Sequence, residues 1–129
     1  MTRNRNEAQL RALVENWAKA VRAKDMDSVL AHHTSDIVMF DVPMPLQAIG
    51  MEEYKKTWEL FFENSPGGEG AFDVTELHIA ASGTVAYCHA IVKIFDSKAR
   101  LTVGLRKEDG RWLIAHEHHS YPIELKPAE

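Results

Sequence analysis

Near the end of the chain, His116-Glu117-His118-His119 gathers three imidazoles and a carboxylate into four residues. Imidazole titrates near neutrality and also binds metals, and a neighbouring carboxylate can orient it or share its proton. Upstream, Asp41 lies in the apolar run Ile37 to Val42, just before Pro43 and Pro45. It is a candidate general base, or a strand-end carboxylate that satisfies backbone amides. What these groups can do depends on where they point.

Residues 111–121 read as a β-strand, along which side chains alternate between faces. Trp112, Ile114, His116, His118 and Ser120 would share one face, and Leu113, Ala115, Glu117 and His119 the other. Glu117 and His119 therefore form a candidate acid–base pair, or a hydrogen-bonded couple that orients a ligand; the plainer alternative is an ion pair inside a structural cavity. His116 and His118 would need ligands such as His78 or His89 from neighbouring strands to hold a metal. The strand does not reproduce the helical His-Glu-x-x-His arrangement, so no metal is expected. Hydrogen bonding within an interface suits this pair better.

The elements that must position these groups follow from hydrophobic spacing. Leu10, Leu13, Val14, Trp17 and Val21 line one stripe of a first helix. Asp25 caps a short second helix, in which Val29, Leu30 and His33 face inward and which Asp36 ends; this spacing lets His33 touch a pocket floor. Ile37 to Val42 forms a strand, closed by the prolines. Gly50 precedes a third helix carrying Met51, Tyr54, Trp58, Phe61 and Phe62, which are core aromatics first and in part pocket wall. After the breaker cluster 65–70, strands are expected over 72–80, 84–95, 99–108 and 111–121, with Asp109-Gly110 a tight hairpin. Both faces of the last strand begin apolar, which predicts helices on one side of the sheet and a second copy of the chain on the other.

The whole chain has 129 residues, 45% of them hydrophobic, with 15 Lys+Arg against 19 Asp+Glu. That length suits one domain spanning residues 1–129. The charges are spread without a basic stripe, so nucleic acid is not an expected partner. No apolar run approaches the ~20 residues of a membrane span, and nothing in the sequence predicts secretion. A cytoplasmic location is expected. The single cysteine, Cys88, reads as a small buried hydrophobe.

The order of elements, Asp25-Met26-Asp27, Asp36 through Asp41, Gly50 before an aromatic helix, and the Asp109 to Ser120 ending together resemble the SnoaL-like, or nuclear transport factor 2-like, superfamily. The resemblance implies an α+β fold: a cone-shaped roll of three N-terminal helices on a strongly curved, mostly antiparallel sheet, in the order α-α-β-α-β-β-β-β. It also implies a pocket between helices and sheet, and a homodimer. Beside the ketosteroid isomerases of that superfamily, Asp41 matches the catalytic aspartate. Trp17 and Val103 stand where the isomerases carry their enolate-binding tyrosine and aspartate, which argues against steroid isomerisation itself. Beside the kinase association domains, Tyr54, Trp58, Val103 and His119 match pocket positions. The resemblance turns Glu117 and His119 into the cavity and His116 and His118 toward the outer, dimer-forming face.

The expected function is a small-molecule pocket protein acting on a partly apolar organic ligand by cofactor-free proton transfer. Asp41, Glu117 and His119 would be the catalytic groups, with Trp17, His33, Tyr54, Trp58 and Val103 contacting the ligand. The alternative is a non-catalytic dimeric association or sensing module.

Overall fold

A computed structural model describes residues 2–127. The elements run α1 (Thr2–Ala23), α2 (Met26–Leu30), β1 (His33–Phe40), β2 (Ala48–Ile49), α3 (Met51–Glu63), β3 (Asp73–Ala81), β4 (Val85–Ile94), β5 (Ser97–Glu108) and β6 (Arg111–Ser120). The six strands form one curved, unclosed mixed sheet in the order β2-β1-β6-β5-β4-β3. The helices cover its inner face. Leu10, Val14, Trp17 and Val21 of α1 are buried as their spacing requires, against a floor that includes Val92, Leu101, Val103 and Ile114. None of the helices is long and apolar enough to cross a membrane among the described residues.

Three features differ from the sequence reading. First, α2 ends at Leu30, and His33 is the first residue of β1 instead of a helical one. Ala31 is already extended (φ −63°, ψ 152°), and His32 has φ 59°, in the left-handed region that stops a helix. The carbonyl of His32 then accepts from the Ile114 amide at 2.8 Å, which ties the start of β1 to β6. Asp36 is consequently an exposed strand residue, and Asp41 lies one position past the strand end. Second, the two-residue strand β2 pairs antiparallel with β1 through Val38 and Met39, a segment too short to show periodicity.

The third difference decides the site. On β5, Leu105 pairs with Ile114 and Gly104 with His116, so Ala115 is an extra, unpaired residue of β6. A bulge of this kind exchanges the faces of everything beyond it. Trp112 and Ile114 therefore share the inner face with Glu117 and His119, instead of standing opposite them. Before the bulge the strand alternates simply, with Trp112 and Ile114 buried inward and Leu113 half-buried on the other side. His116 and His118 do lie on the outer side, beside Val38 and Phe40 of β1.

The Asp109-Gly110 hairpin forms as expected, with Glu108 paired to Arg111 and both turn residues at positive φ, 51° and 77°. Cys88 is buried, and burial pushes its thiol up to about 12. A Cβ added at Gly110 would meet nothing within 4 Å, so replacing it tests the backbone alone. Gly110→Ala is expected to cost about 1 kcal/mol, read as a lower urea midpoint with an unchanged m-value.

Candidate functional site

The bulge at Ala115 aims Glu117 into the space between sheet and helices, where its side chain is fully buried (0% exposed). An isolated buried carboxylate would be prohibitively costly, so its partners matter. Three groups converge on it. His33 of β1 approaches with Nε2 at 2.9 Å from Oε2, and His119 with Nε2 at 3.1 Å from Oε1. The Tyr54 hydroxyl of α3 donates to Oε2 and lies 2.8 Å from His33 Nε2.

The proton inventory follows from these contacts. His33 Nδ1 lies 2.8 Å from the Ala31 carbonyl, which can only accept, so Nδ1 carries a hydrogen. Nε2 faces both Glu117 Oε2 and the Tyr54 hydroxyl, so these three groups share the protons that lie among them. Burial alone would raise the Glu117 pKa; the hydrogen bonds from His119 and His33, with their charges, outweigh it and hold the group at about 2. These hydrogen bonds favour the ionised form of Glu117. Tyr54 moves the other way: burial, then the adjacent Glu117 charge, raise its hydroxyl well above the usual phenol range. The indole N–H groups of Trp17 and Trp58 lie close enough to oppose that rise, yet neither reaches hydrogen-bond geometry.

Above this network opens a cavity of about 410 Å³, within the range of small-ligand sites. Met39, Trp58, Leu60, Phe61, Phe72, Ile94 and Ala99 supply its apolar wall. His119 lines it and is 8% exposed, and Asp41 and Tyr121 line it as well. With Nε2 engaged by Glu117, Nδ1 is the ring nitrogen of His119 left for a ligand. Asp41 accepts from the Val42 amide at 2.8 Å and does not reach Glu117.

Of the expected catalytic groups, Asp41 and His119 share the cavity and Glu117 sits behind His119. Of the expected ligand contacts, Trp58 lines this cavity. His33, Tyr54 and Val103 lie beneath it, Val103 paired with Glu117 across β5 and β6. Trp17 packs edge-on to Trp58 and lines a separate groove along α1. Among the described residues no group of three or more His, Cys, Asp or Glu side chains is arranged to hold a metal ion. Sequence reasoning passed over Thr57, Phe72 and Tyr121 as lining residues. Thr57, on the Trp58 and Phe61 side of α3, could have been found from helical spacing, and Tyr121 from strand alternation, since it stands two residues beyond His119 and lines the same cavity.

Because Glu117 titrates lower in the folded chain than its ordinary value of 4.5, its stabilisation is complete above about pH 4.5 and lost as pH falls toward 2. Urea unfolding at pH 6 and pH 2.5 is expected to show a loss in the wild type that exceeds that of Glu117→Gln by about 2–3 kcal/mol.

Known proteins support the same architecture. A SnoaL-like domain model matches residues 10–124. A nuclear transport factor 2-like protein of unknown function from Pseudomonas putida is 32% identical, with 95% of this chain and 91% of that chain covered and a TM-score of 0.86. A Streptomyces avermitilis protein of that family, provisionally named a dehydratase, is 12% identical over 95% of this chain and 99% of its own (TM-score 0.80). A ketosteroid isomerase-like protein from Erwinia carotovora atroseptica is 22% identical over 88% and 93% (TM-score 0.70). No functionally curated protein matches the chain. With the helix-lined curved sheet, the cavity above its inner face and a family model spanning residues 10–124, this chain belongs to the SnoaL-like domain family.

Proposed function

We propose that this protein binds a small, partly apolar organic molecule in the cavity above Glu117 and moves a proton on it without a cofactor. One observation carries the reading: His119 lines the cavity while its other ring nitrogen is hydrogen-bonded to the buried Glu117 carboxyl group. In the neutral ring, Nε2–H donates to Glu117, which leaves the Nδ1 lone pair facing the ligand as a general base. When Nδ1 takes a proton, Glu117 stabilises the imidazolium. Asp41, on the same cavity wall, is a second proton carrier for a neighbouring atom. Trp58, Phe61 and Phe72 hold the apolar body. The reaction class is isomerisation, cyclisation, hydration or dehydration, in keeping with the names borne by the Streptomyces and Erwinia proteins.

The outer face of the sheet supports a homodimer in the same reading. Tyr87 there is 56% exposed, and Val85, Val38 and Phe40 accompany it beside His116 and His118. A second copy packed on this face would remove these side chains from water.

Small ketones and hydroxyketones incubated in D2O are expected to exchange carbon-bound hydrogen in the presence of the wild type, read by proton NMR. His119→Gln should slow that exchange by about 100-fold or more and Asp41→Asn by about tenfold; exchange untouched by His119→Gln would refute the assignment. Sedimentation velocity is expected to give a dimer, and Tyr87→Glu a monomer that keeps its circular dichroism spectrum.

A further inference from the structure

The cavity wall is unbalanced in its hydrogen-bonding character. Its donors are largely spent on the protein itself. The Thr57 hydroxyl donates to the Tyr54 carbonyl at 2.6 Å, Asn64 Nδ2 donates to the Leu60 carbonyl at 2.9 Å, and the Tyr121 hydroxyl pairs with that of Ser97 at 3.2 Å. The Trp58 indole N–H is sealed away from the cavity surface. Acceptors remain: the second carboxylate oxygen of Asp41, which receives no hydrogen bond, and Nδ1 of neutral His119. Among the side chains of the described residues that line it, only the second amide hydrogen of Asn64 is left on the donor side.

Charge points the same way. No lysine or arginine lines the cavity among the described residues; Lys56 belongs to the adjoining hollow that shares Asp41, where Glu53 also lies. An anionic ligand would meet the Asp41 carboxylate with no permanent cation to neutralise it unless His119 first took up a proton, and unpaired like charges in a partly dry site are strongly disfavoured. A hydroxyl or ammonium would find two acceptors, and the rings of Trp58, Phe61 and Phe72 would accommodate either an apolar ring or the flank of a cation.

We infer that the cavity selects compact apolar ring molecules that present a hydrogen-bond donor, an O–H or N–H, and refuses those carrying a negative charge. This rests on the reading of the cavity as the ligand site and adds to it the class of substrate. The donor hydrogen is aimed at His119 Nδ1 or at Asp41, so the heteroatom that bears it is the first to exchange its proton with the protein.

Three probes of one shape test it by tryptophan fluorescence titration at pH 7.5: 4-phenylphenol, 4-phenylbenzylamine and biphenyl-4-carboxylate, with Trp58→Phe identifying quenching that arises in the cavity. The phenol and the ammonium are expected to bind at least about tenfold more tightly than the carboxylate, and Asp41→Asn to bring the carboxylate within about threefold of the phenol. An ammonium advantage that disappears in Asp41→Asn assigns the donor to Asp41. A phenol advantage that disappears in His119→Phe assigns it to His119; either result upholds the selection. Carboxylate binding equal to or tighter than the others overturns the selection while leaving the cavity as a ligand site. Failure of all three to bind at about 1 mM, together with absence of D2O exchange, overturns the ligand site itself.

Discussion

The site depends on satisfying one charge removed from water. The Glu117 carboxylate lies on the inner face of the sheet, and the groups that make it tolerable come from distant stretches of chain: His33 at the start of β1, Tyr54 on α3 and His119 two residues further along β6. Each partner also has a second commitment. His33 is held by the Ala31 carbonyl, Tyr54 is buried in the aromatic cluster around Trp58, and His119 reaches the cavity. The carboxylate thereby fixes the ring that meets solvent and binds helix, sheet and strand end to each other. Buried ionic networks can often be replaced by apolar side chains without loss of stability, so the orientation imposed on His119 is the distinctive contribution of this one.

That arrangement exists because of a single surplus residue. Without the bulge at Ala115, continuous alternation would send either the Trp112 and Ile114 pair or the Glu117 and His119 pair to the outer face. The bulge lets β6 serve the core with its first half and the cavity with its second. Gly104, opposite His116, completes the accommodation: an added Cβ there would come within 3.4 Å of the His116 Cβ.

The sequence disclosed the large elements and several of the polar groups, and it hid their connections. Helical spacing in α1 and α3, the Asp109-Gly110 turn and the alternating stretches after residue 70 led to the α+β roll, because each is a local pattern with a local cause. Glu117, His119, His33 and Tyr54 were all singled out as site residues. Their mutual hydrogen bonds were not, since Tyr54 and Glu117 stand 63 positions apart and no local pattern encodes the approach. The bulge was invisible because an unpaired alanine has no distinguishing composition. His33 was misplaced into a helix because its spacing from Val29 suits one, whereas the positive φ of His32 that breaks the helix belongs to a residue type that only occasionally adopts it.

The parallel pairing of β1 with β6 joins His33 to Ile114, and the ion pair beside it spans 84 positions. Contacts of such range incur a large loop-closure entropy and form late relative to hairpins such as β4–β5 and β5–β6. The polar centre is therefore a keystone that cannot close until β6, which carries Glu117 and His119, lies beside β1.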